Sequence, residues 1–316
     1  MKITLAPMEG VVDHLMREML THIGGFDLCV TEFMRVVDQL YPPSVFHRIC
    51  PELSQQGKTA SGTPVRIQLL GQDPNWLAEN AVRAVALGSS GLDLNFGCPA
   101  KMVNRSKGGA ALLKEPETLY QIVKAVRQAV PSEHQVSAKI RLGFDDKLLA
   151  IENAQAIEEA GASQLVVHAR TKAEGYNPPA WWDWIGKIRE QTSIDIVSNG
   201  EIWNHQDALL CQQQSGCQDM MVGRGVLAMP NLAMVIKDGI QPMHWQSVMS
   251  LLVKYSGYEL YGDKGVYYPN RIKQWLKFLS RQYPEAKALF TRVRTLKSAE
   301  DILKMIKDVD SCVIPN

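Results

Sequence analysis

The segment Val65–Phe96, VRIQLLGQDPNWLAENAVRAVALGSSGLDLNF, decides the fold class of this chain. It opens with the apolar run Val65–Leu70, continues with an amphipathic stretch at Asn75–Leu87, and closes with a second apolar run at Leu92–Phe96. Gly88 and Gly91 stand before the second run, where the end of a helix is expected to carry glycine. The segment therefore predicts strand, helix and strand, the repeating unit of a parallel sheet.

The same alternation continues through most of the chain. Eight short apolar runs are typical of strands: Ile3–Met8, Leu28–Phe33, Val65–Leu70, Leu92–Phe96, Val136–Leu142, Gln164–His168, Ile194–Ser198 and Asp219–Val222. Further helical stretches lie between them, at Pro116–Val130, Ala150–Ala160 and His205–Gln214. Eight strands joined by helical crossovers predict an α/β fold, a closed (β/α)8 TIM barrel.

An open, doubly wound sheet is the alternative architecture. Such folds place a G-x-G-x-x-G turn after their first strand. The corresponding loop here is Pro7-Met8-Glu9-Gly10, which lacks that pattern. The closed barrel is therefore favoured.

The strand pattern stops after Pro230 and Pro242. Ile272, Trp275, Leu276 and Leu279 then recur at the spacing of one apolar helix face, and Ser298 is placed to cap a further helix. These signals predict two domains: a TIM barrel over residues 1–241 and a small all-helical C-terminal domain over residues 242–316.

Composition excludes several classes of protein. No apolar run of the 316 residues reaches the roughly 18 that a membrane-spanning helix needs, and the N-terminus lacks the architecture of a signal peptide. The six cysteines are scattered without metal-ligand spacing. We expect a cytoplasmic monomer with no metal site and no membrane partner.

The net charge of +1 conceals an uneven distribution. Residues 241–316 contain twelve Lys and Arg against seven Asp and Glu, and the stretch Lys264–Lys297 contains nine basic residues and one acid. This asymmetry favours a polyanionic partner for the tail. The alternative is a solvated basic helix face.

Candidate chemistry begins with Asn95-Phe96-Gly97-Cys98-Pro99, at the end of the fourth predicted strand. Active sites of TIM barrels lie at the carboxyl ends of their strands. Gly97 permits a sharp turn and Pro99 fixes the backbone after it, so the Cys98 thiol is expected at the rim of the barrel. Asn95 supplies an amide beside it. The alternative is a buried structural cysteine.

The other strand ends supply a coherent polar set. Glycine-flanked turns after strands seven and eight, with an arginine, suit a phosphate, and a planar ring over the barrel mouth then indicates FMN. Gln68 is placed to bond the ring edge and Lys139 to stabilise its negative charge. We predict that the cofactor contacts Pro7, Met8, Glu9, Gln68, Lys139, His168, Asn199, Gly200, Glu201, Gly223 and Arg224.

Several of these residues also have an interpretation without catalytic or binding function. Gln68 is equally suited to cap a loop, and His168 to be a satisfied polar group without chemistry. Lys139 and Arg141 share a strand face and could simply pair with an acid such as Glu201.

Seven motifs in order resemble the tRNA-dihydrouridine synthase family. They begin at Leu5, Gln68, Asn95, Lys139, Val167, Ser198 and Val222, and the first, third and fourth read LAPMEGV, NFGCP and KIRLG. The resemblance covers the whole chain. The Gly10–Phe33 region and the loop Tyr176–Trp182 are most similar to the bacterial C subfamily, which implies uridine 16 of the tRNA D-loop as the target.

The resemblance implies a mechanism. NADPH would reduce FMN, hydride would pass to C6 of a flipped-out uracil, and Cys98 would protonate C5 from the opposite face as the general acid. The residues expected to contact the tRNA are Arg35, on the loop after strand two, Asn95, Arg141 and Tyr176. In the tail we expect Lys273, Lys277 and Arg281 on one helix face, Arg271 at the start of that helix, and Arg292 and Arg294 on the next helix.

Two rival functions remain open at this point. An FMN-dependent pyrimidine reductase acting on a free base or nucleotide would share the barrel and the acid cysteine, but would not use the basic tail. An RNA-binding module without turnover would not require Cys98 or the cofactor set.

Overall fold

Eight parallel strands close into a barrel in sequence order, each bonded to the next and β8 to β1. The structure is a computed structural model that describes residues 1–261 and 265–311, so Lys264 and Cys312 lie outside the described residues. The strands are β1 (Ile3–Leu5), β2 (Leu28–Arg35), β3 (Val65–Leu70), β4 (Leu92–Phe96), β5 (Val136–Arg141), β6 (Gln164–His168), β7 (Asp195–Asn199) and β8 (Met220–Val222). The predicted TIM barrel is confirmed.

Helices follow the strands and continue beyond the last one. They are α1 (His14–Ile23), α2 (Pro43–Ile49), α3 (Pro74–Ala86), α4 (Lys101–Arg105), α5 (Pro116–Ala129), α6 (Ala150–Glu159), α7 (Trp182–Glu190), α8 (His205–Ser215), α9 (Arg224–Ala228), α10 (Leu232–Asp238), α11 (Trp245–Tyr261), α12 (Tyr268–Leu279), α13 (Pro284–Val293) and α14 (Ala299–Ser311). Short 3₁₀ turns lie at Pro51–Gln55, Gly109–Lys114 and Gly265–Tyr267. No helix among the described residues has the length and apolar character to cross a membrane.

Two strand predictions were wrong by two or more residues at their carboxyl ends, and those for β5 and β7 by one. β1 ends at Leu5 and not at Met8, because Pro7 has no N–H to continue the ladder and the Met8 carbonyl accepts the N–H groups of Val11 and Val12 in a turn. β2 runs two residues beyond Phe33 after an irregularity in its pairing with β3. Arg35 is therefore the last residue of β2 and not part of a loop.

Alternation along β3, β4 and β5 divides apolar from polar side chains. One set of alternate residues packs in the main core with the surrounding helices: Val65, Ile67, Leu69, Leu92, Leu94, Phe96, Val136, Ala138 and Ile140. The other set is polar apart from Leu70 at the end of β3, and its polar members point into the barrel: Arg66, Gln68, Asp93, Asn95, Ser137, Lys139 and Arg141. A small apolar cluster of Ala6, Val30, Val166, Val197 and Met221 shares the interior. Since three adjacent strands place polar groups inside, the interior of this barrel is built for polar contacts.

The tail packs around the predicted apolar stripe. Ile272, Trp275, Leu276 and Leu279 are all buried, and Trp275 meets Tyr255 edge to face with ring centroids 5.1 Å apart. The Asp301 N–H donates to Ser298 Oγ, the predicted cap. The division of the chain at residue 241 stays a prediction.

The basic residues of the tail are distributed differently from the prediction. Arg271 is the fourth residue of α12 and not its first, because the helix begins at Tyr268 with a proline in its first turn. α12 ends at Leu279, so Arg281 lies beyond the helix that carries Lys273 and Lys277. Arg294 is one residue past the end of α13.

The contacts that join the tail to the barrel include an ion pair, a cation–π contact and a shared cavity wall. Arg271 Nη2 lies 2.8 Å from Asp13 Oδ1, the guanidinium of Arg281 lies 3.8 Å from the ring centre of Trp203, and Phe278 lines the cavity at the barrel mouth. The tail therefore forms part of the entrance to the barrel.

Candidate active site

A cavity of about 440 Å³ opens at the carboxyl ends of the strands, a size typical of small-molecule sites. Every residue predicted to contact the cofactor lines it, namely Pro7, Met8, Glu9, Gln68, Lys139, His168, Asn199, Gly200, Glu201, Gly223 and Arg224. Cys98, Asn95, Arg141 and Tyr176 line the same cavity. The sequence-predicted set thus converges on one site, apart from Arg35 and the basic residues of the tail.

The loop that carries Cys98 is shaped by the side chain of Asn95. Asn95 Oδ1 accepts the backbone N–H of Gly97 at 3.1 Å and that of Cys98 at 2.5 Å. Its Nδ2 donates to Gln68 Oε1 at 2.7 Å. Both ends of the amide are therefore used to hold the thiol-bearing turn on the end of β4.

In this loop the residue with a left-handed backbone conformation is Gly109. Gly97, which the sequence suggested for a sharp turn, lies outside the left-handed region. Gly109 has φ +58°, and a Cβ at this position would lie 2.8 Å from the Cys98 carbonyl oxygen. Arg141 closes the other side, donating from Nε to the Gly97 carbonyl at 2.8 Å. The cysteine turn is thus packed against one glycine and tied to one arginine.

A chain of buried side chains supports Asn95 from below. Gln68 Nε2 donates to Asp93 Oδ2 at 2.6 Å, Ser137 Oγ donates to Asp93 Oδ1 at 2.6 Å, and Arg66 Nη1 donates to Ser137 Oγ at 2.9 Å. The strand register brings them together, since Gln68 lies opposite Asp93 and Asp93 opposite Ser137. The orientation of each amide is fixed by its neighbours.

Burial controls the protonation of the two central groups. Removal from water raises the pKa of Cys98 and outweighs the opposing effect of Arg141 and Lys139. Burial, with the nearby positive charge of Arg141, lowers the pKa of Lys139 to about 7. The thiol is therefore protonated at neutral pH, and Lys139 is poised between its two forms.

On the rim opposite Cys98, Glu201 binds three side chains. It has φ +61°, and its carboxylate lies 2.6 Å from Arg170 Nη2 and 3.3 Å from Arg224 Nη2. It also accepts the indole N–H of Trp203 at 2.9 Å. The alternative pairing of Glu201 with Lys139 and Arg141 was wrong, because Arg170 and Arg224 occupy the carboxylate.

Tyr176 joins the two rims across the cavity. Its ring lies 5.1 Å from the guanidinium of Arg141 and 4.4 Å from that of Arg224, and it meets the His168 ring edge to face. Burial and the surrounding cations lower the pKa of His168 well below its usual range. His168 is therefore neutral, and within the described part of the chain its buried Nδ1 has no hydrogen-bond partner.

The remaining predicted tRNA residues lie outside the cavity. Arg35 donates to Ser106 Oγ at 2.7 Å, Lys273 donates to the Leu296 carbonyl, and the Lys277 ammonium lies 5.4 Å from the Phe290 ring centre. Arg292 and Arg294 are exposed. Arg271 contacts Asp13 of the barrel and donates to the Tyr255 hydroxyl within the tail.

Comparison with known proteins identifies the family. The profile of the dihydrouridine synthase (Dus) family matches residues 4–310. The chain belongs to the dihydrouridine synthase family. It is 57% identical over 307 residues to the tRNA-dihydrouridine(16) synthase of Shewanella oneidensis, covering 97% of this chain and 98% of that protein. Its identity to the protein of the same name from Escherichia coli is 54% over 311 residues, covering 98% and 99%. The family predicted from the motifs is confirmed.

Solved structures share the architecture at low identity. A 2-naphthoyl-CoA reductase complex has a TM-score of 0.58 at 13% identity and covers 75% of this chain, and the chain spans half the length of that reductase. Morphinone reductase has a TM-score of 0.51 at 11% identity, covering 76% of this chain and 87% of that one. At this identity the likeness shows the fold alone.

Sequence reasoning missed several residues of this dihydrouridine synthase site. Arg66, Asp93 and Ser137 form the buried support, Arg170 and Trp203 hold Glu201, Gly109 packs on Cys98, and Phe278 comes from the tail. Only Arg66, Asp93 and Ser137 could have been found from the sequence, since the period of two along β3, β4 and β5 already placed polar residues on the inner face. The others depend on loop geometry.

The protonation of Cys98 predicts slow alkylation. The thiolate is the nucleophile, so a raised pKa means that iodoacetamide should modify Cys98 slowly at pH 7, and that the rate should rise at a higher pH than for an ordinary cysteine. Peptide mass spectrometry of the purified protein across pH 6.5–10 measures this, with N-acetylcysteine as the reference thiol. A rate that reaches its plateau below pH 8 would show that Lys139 and Arg141 outweigh burial.

The packing of Gly109 on Cys98 predicts a difference between two glycine variants. Gly109→Ala and Gly239→Ala both place alanine at a left-handed position, φ +58° and +66°, but only Gly239 has open space where the Cβ would go. Gly239→Ala should cost about 1 kcal/mol of unfolding free energy. Gly109→Ala should cost about 1–3 kcal/mol more and should speed the alkylation of Cys98, because the added methyl pushes the thiol toward the cavity. Equal stability and equal alkylation in the two variants would contradict this packing.

Proposed function

We propose that this protein, acting as a monomer in the cytoplasm, reduces the C5=C6 bond of uridine 16 in the D-loop of tRNA, with FMN as the bound cofactor and NADPH as the reductant. The observation that carries the proposal is the Cys98 thiol, held by Asn95 at the edge of a cavity whose walls suit a flavin. Full-length relatives at 54–57% identity that carry the name tRNA-dihydrouridine(16) synthase support the same target.

The residues present fit a flavin mononucleotide. Gly200 and Gly223 leave the far wall without side chains, and a Cβ at either position would lie 3.3 Å from its nearest neighbour. Arg224 beside these glycines is a suitable partner for a phosphate, and the buried Nδ1 of His168 is a polar atom in need of a partner. Gln68 and Lys139 stand on the opposite wall, where a ring has polar edges to satisfy.

Bound flavin would supply the hydride for C6. The residues of the protein supply the proton and position the substrate. Cys98 gives its proton to C5, and its raised pKa keeps that proton available at neutral pH. Asn95 fixes the turn that carries the thiol, so the acid is positioned before the substrate arrives. Tyr176, half exposed at 51%, offers a ring face on which the uracil can stack.

The tail completes the proposal as a surface for the tRNA backbone. Lys277, Arg292 and Arg294 are exposed and basic, and Arg281 lies at the cavity mouth on Trp203. Lys273 stands on the same helix as Lys277. We assign Arg271 the role of fixing the tail against Asp13, because its guanidinium is already engaged there.

The function is tested with tRNA that lacks dihydrouridine at position 16. The purified protein should be yellow, release FMN on heating, and form dihydrouridine at that position with NADPH, as mapped by mass spectrometry of nuclease fragments. Free uracil and uridine monophosphate, offered at the same concentration, should not be reduced. Reduction of the free compounds in preference to tRNA would support the rival pyrimidine reductase.

The role of Cys98 is tested by Cys98→Ala. Loss of a general acid should slow uridine reduction by about 10² to 10⁴, while FMN content, tRNA affinity and the rate of flavin reduction by NADPH stay unchanged. A matched control is Cys211→Ala, which removes a buried thiol that does not line the cavity. Near wild-type turnover of the Cys98 variant would return this residue to a structural role.

A further inference from the structure

Helix α4 begins immediately after the cavity wall and carries exposed positive charge. Gly97, Cys98, Pro99 and Ala100 line the cavity, and α4 starts at the next residue. The exposed basic residues that follow are Lys101, Arg105 and Lys107. Lys101 and Arg105 are four positions apart and therefore lie on one face of the helix.

Arg35 adds a fourth cation from the end of β2. It is exposed, and its Nη2 donates to Ser106 Oγ at 2.7 Å. Arg35 thus stands against the chain between Arg105 and Lys107. We call these four residues, Arg35, Lys101, Arg105 and Lys107, the α4 patch.

Three members of the α4 patch, Lys101, Arg105 and Lys107, have no acidic neighbour in the sequence. The sequence from Asn95 to Lys114 contains four basic residues and no Asp or Glu. Within residues 1–261 and 265–311, Lys101, Arg105 and Lys107 form no ion pair. A group of exposed cations without counter-charges attracts a polyanion.

The α4 patch is also tied to the acid cysteine. Asn104 Nδ2, from inside α4, donates to the Cys98 carbonyl at 3.0 Å and to the Ala100 carbonyl at 2.7 Å. Lys107 has φ +55°, a conformation uncommon for a side chain other than glycine, and Gly109 packs on Cys98 two residues later. A ligand held by the patch is therefore held at a fixed position relative to the thiol.

We propose that the α4 patch binds the phosphodiester backbone of the RNA strand that enters the cavity, on the side of the acid cysteine. The inference rests on the proposed function, since it requires an RNA substrate. Phosphate contacts fix the register of a nucleic acid without reading its sequence. The patch would hold the strand beside Cys98, while the tail holds it from the other side of the mouth, so that the target base is presented to the thiol.

The test compares two triple variants in the purified, flavin-loaded protein. Lys101→Gln, Arg105→Gln and Lys107→Gln together remove three charges of the patch and keep long polar side chains. The control exchanges Lys2, Lys58 and Lys187 for Gln, which are exposed residues outside the cavity lining and the patch. Both proteins carry the same net charge, so a difference between them reports position and not total charge.

The patch variant should bind unmodified tRNA roughly 10- to 100-fold more weakly near physiological salt. The slope of log affinity against log salt should fall by about two units, since each contacted phosphate contributes about 0.7–0.9. FMN content, melting temperature and NADPH oxidation without tRNA should match wild type. A charge-keeping variant, with Lys101→Arg, Arg105→Lys and Lys107→Arg, should restore both affinity and slope.

Three outcomes would overturn the inference. These are wild-type affinity and slope in the patch variant, an equal loss in the control variant, or failure of the charge-keeping variant to restore binding. A protein partner in place of RNA would leave tRNA binding untouched and so belongs to the first of these. If the wild-type protein neither binds nor reduces tRNA, the proposed function itself fails, which is a different result from any of the three.

Discussion

A hydrogen-bonded chain of side chains inside the barrel fixes the position of the acid cysteine, and the site depends on it. It runs from Arg66 through Ser137, Asp93 and Gln68 to Asn95. Asn95 then holds the backbone of Cys98. Because these groups are buried, losing one member leaves its neighbours without partners at a cost of about 1–3 kcal/mol each. The thiol is positioned by the barrel itself and not by its loop alone.

Charge is balanced differently on the two sides of the cavity. On the cysteine side, burial dominates: it keeps the thiol protonated and lowers the pKa of Lys139 to about 7. On the opposite side Glu201 pairs with Arg170 and Arg224. These cations, with the indole N–H of Trp203, hold the pKa of Glu201 below its usual range despite partial burial. Arg281 from the tail stacks on the same Trp203, which connects the tail to this balance. The Cys98 thiol is thus kept neutral on one wall, while Arg170 and Arg224 are held in place on the other.

The sequence was sufficient for the fold and for the cavity residues assigned to the cofactor. Eight apolar runs alternating with helical stretches predicted the barrel, and strand ends predicted every cavity residue assigned to the cofactor. What it could not predict were partners across loops. That Gly109 packs on Cys98, or that Glu201 pairs with Arg170 and not with Lys139, depends on backbone turns with positive φ that bring distant segments together. Arg271 looked like a free cation in the sequence, yet it lies against Asp13 at the other end of the chain.

The central claim is that a protonated Cys98, fixed on one side of the cavity, delivers the hydrogen to C5. The most direct measurement is the position and configuration of deuterium in dihydrouridine formed from tRNA in D₂O, determined by NMR of the isolated nucleoside. A positioned thiol, whose proton exchanges with solvent, predicts one deuterium on C5 in a single configuration, and loss of that single configuration in whatever product Cys98→Ala still forms. Deuterium on both faces of C5 in the wild-type product, or an unchanged single configuration in the variant, would contradict the account.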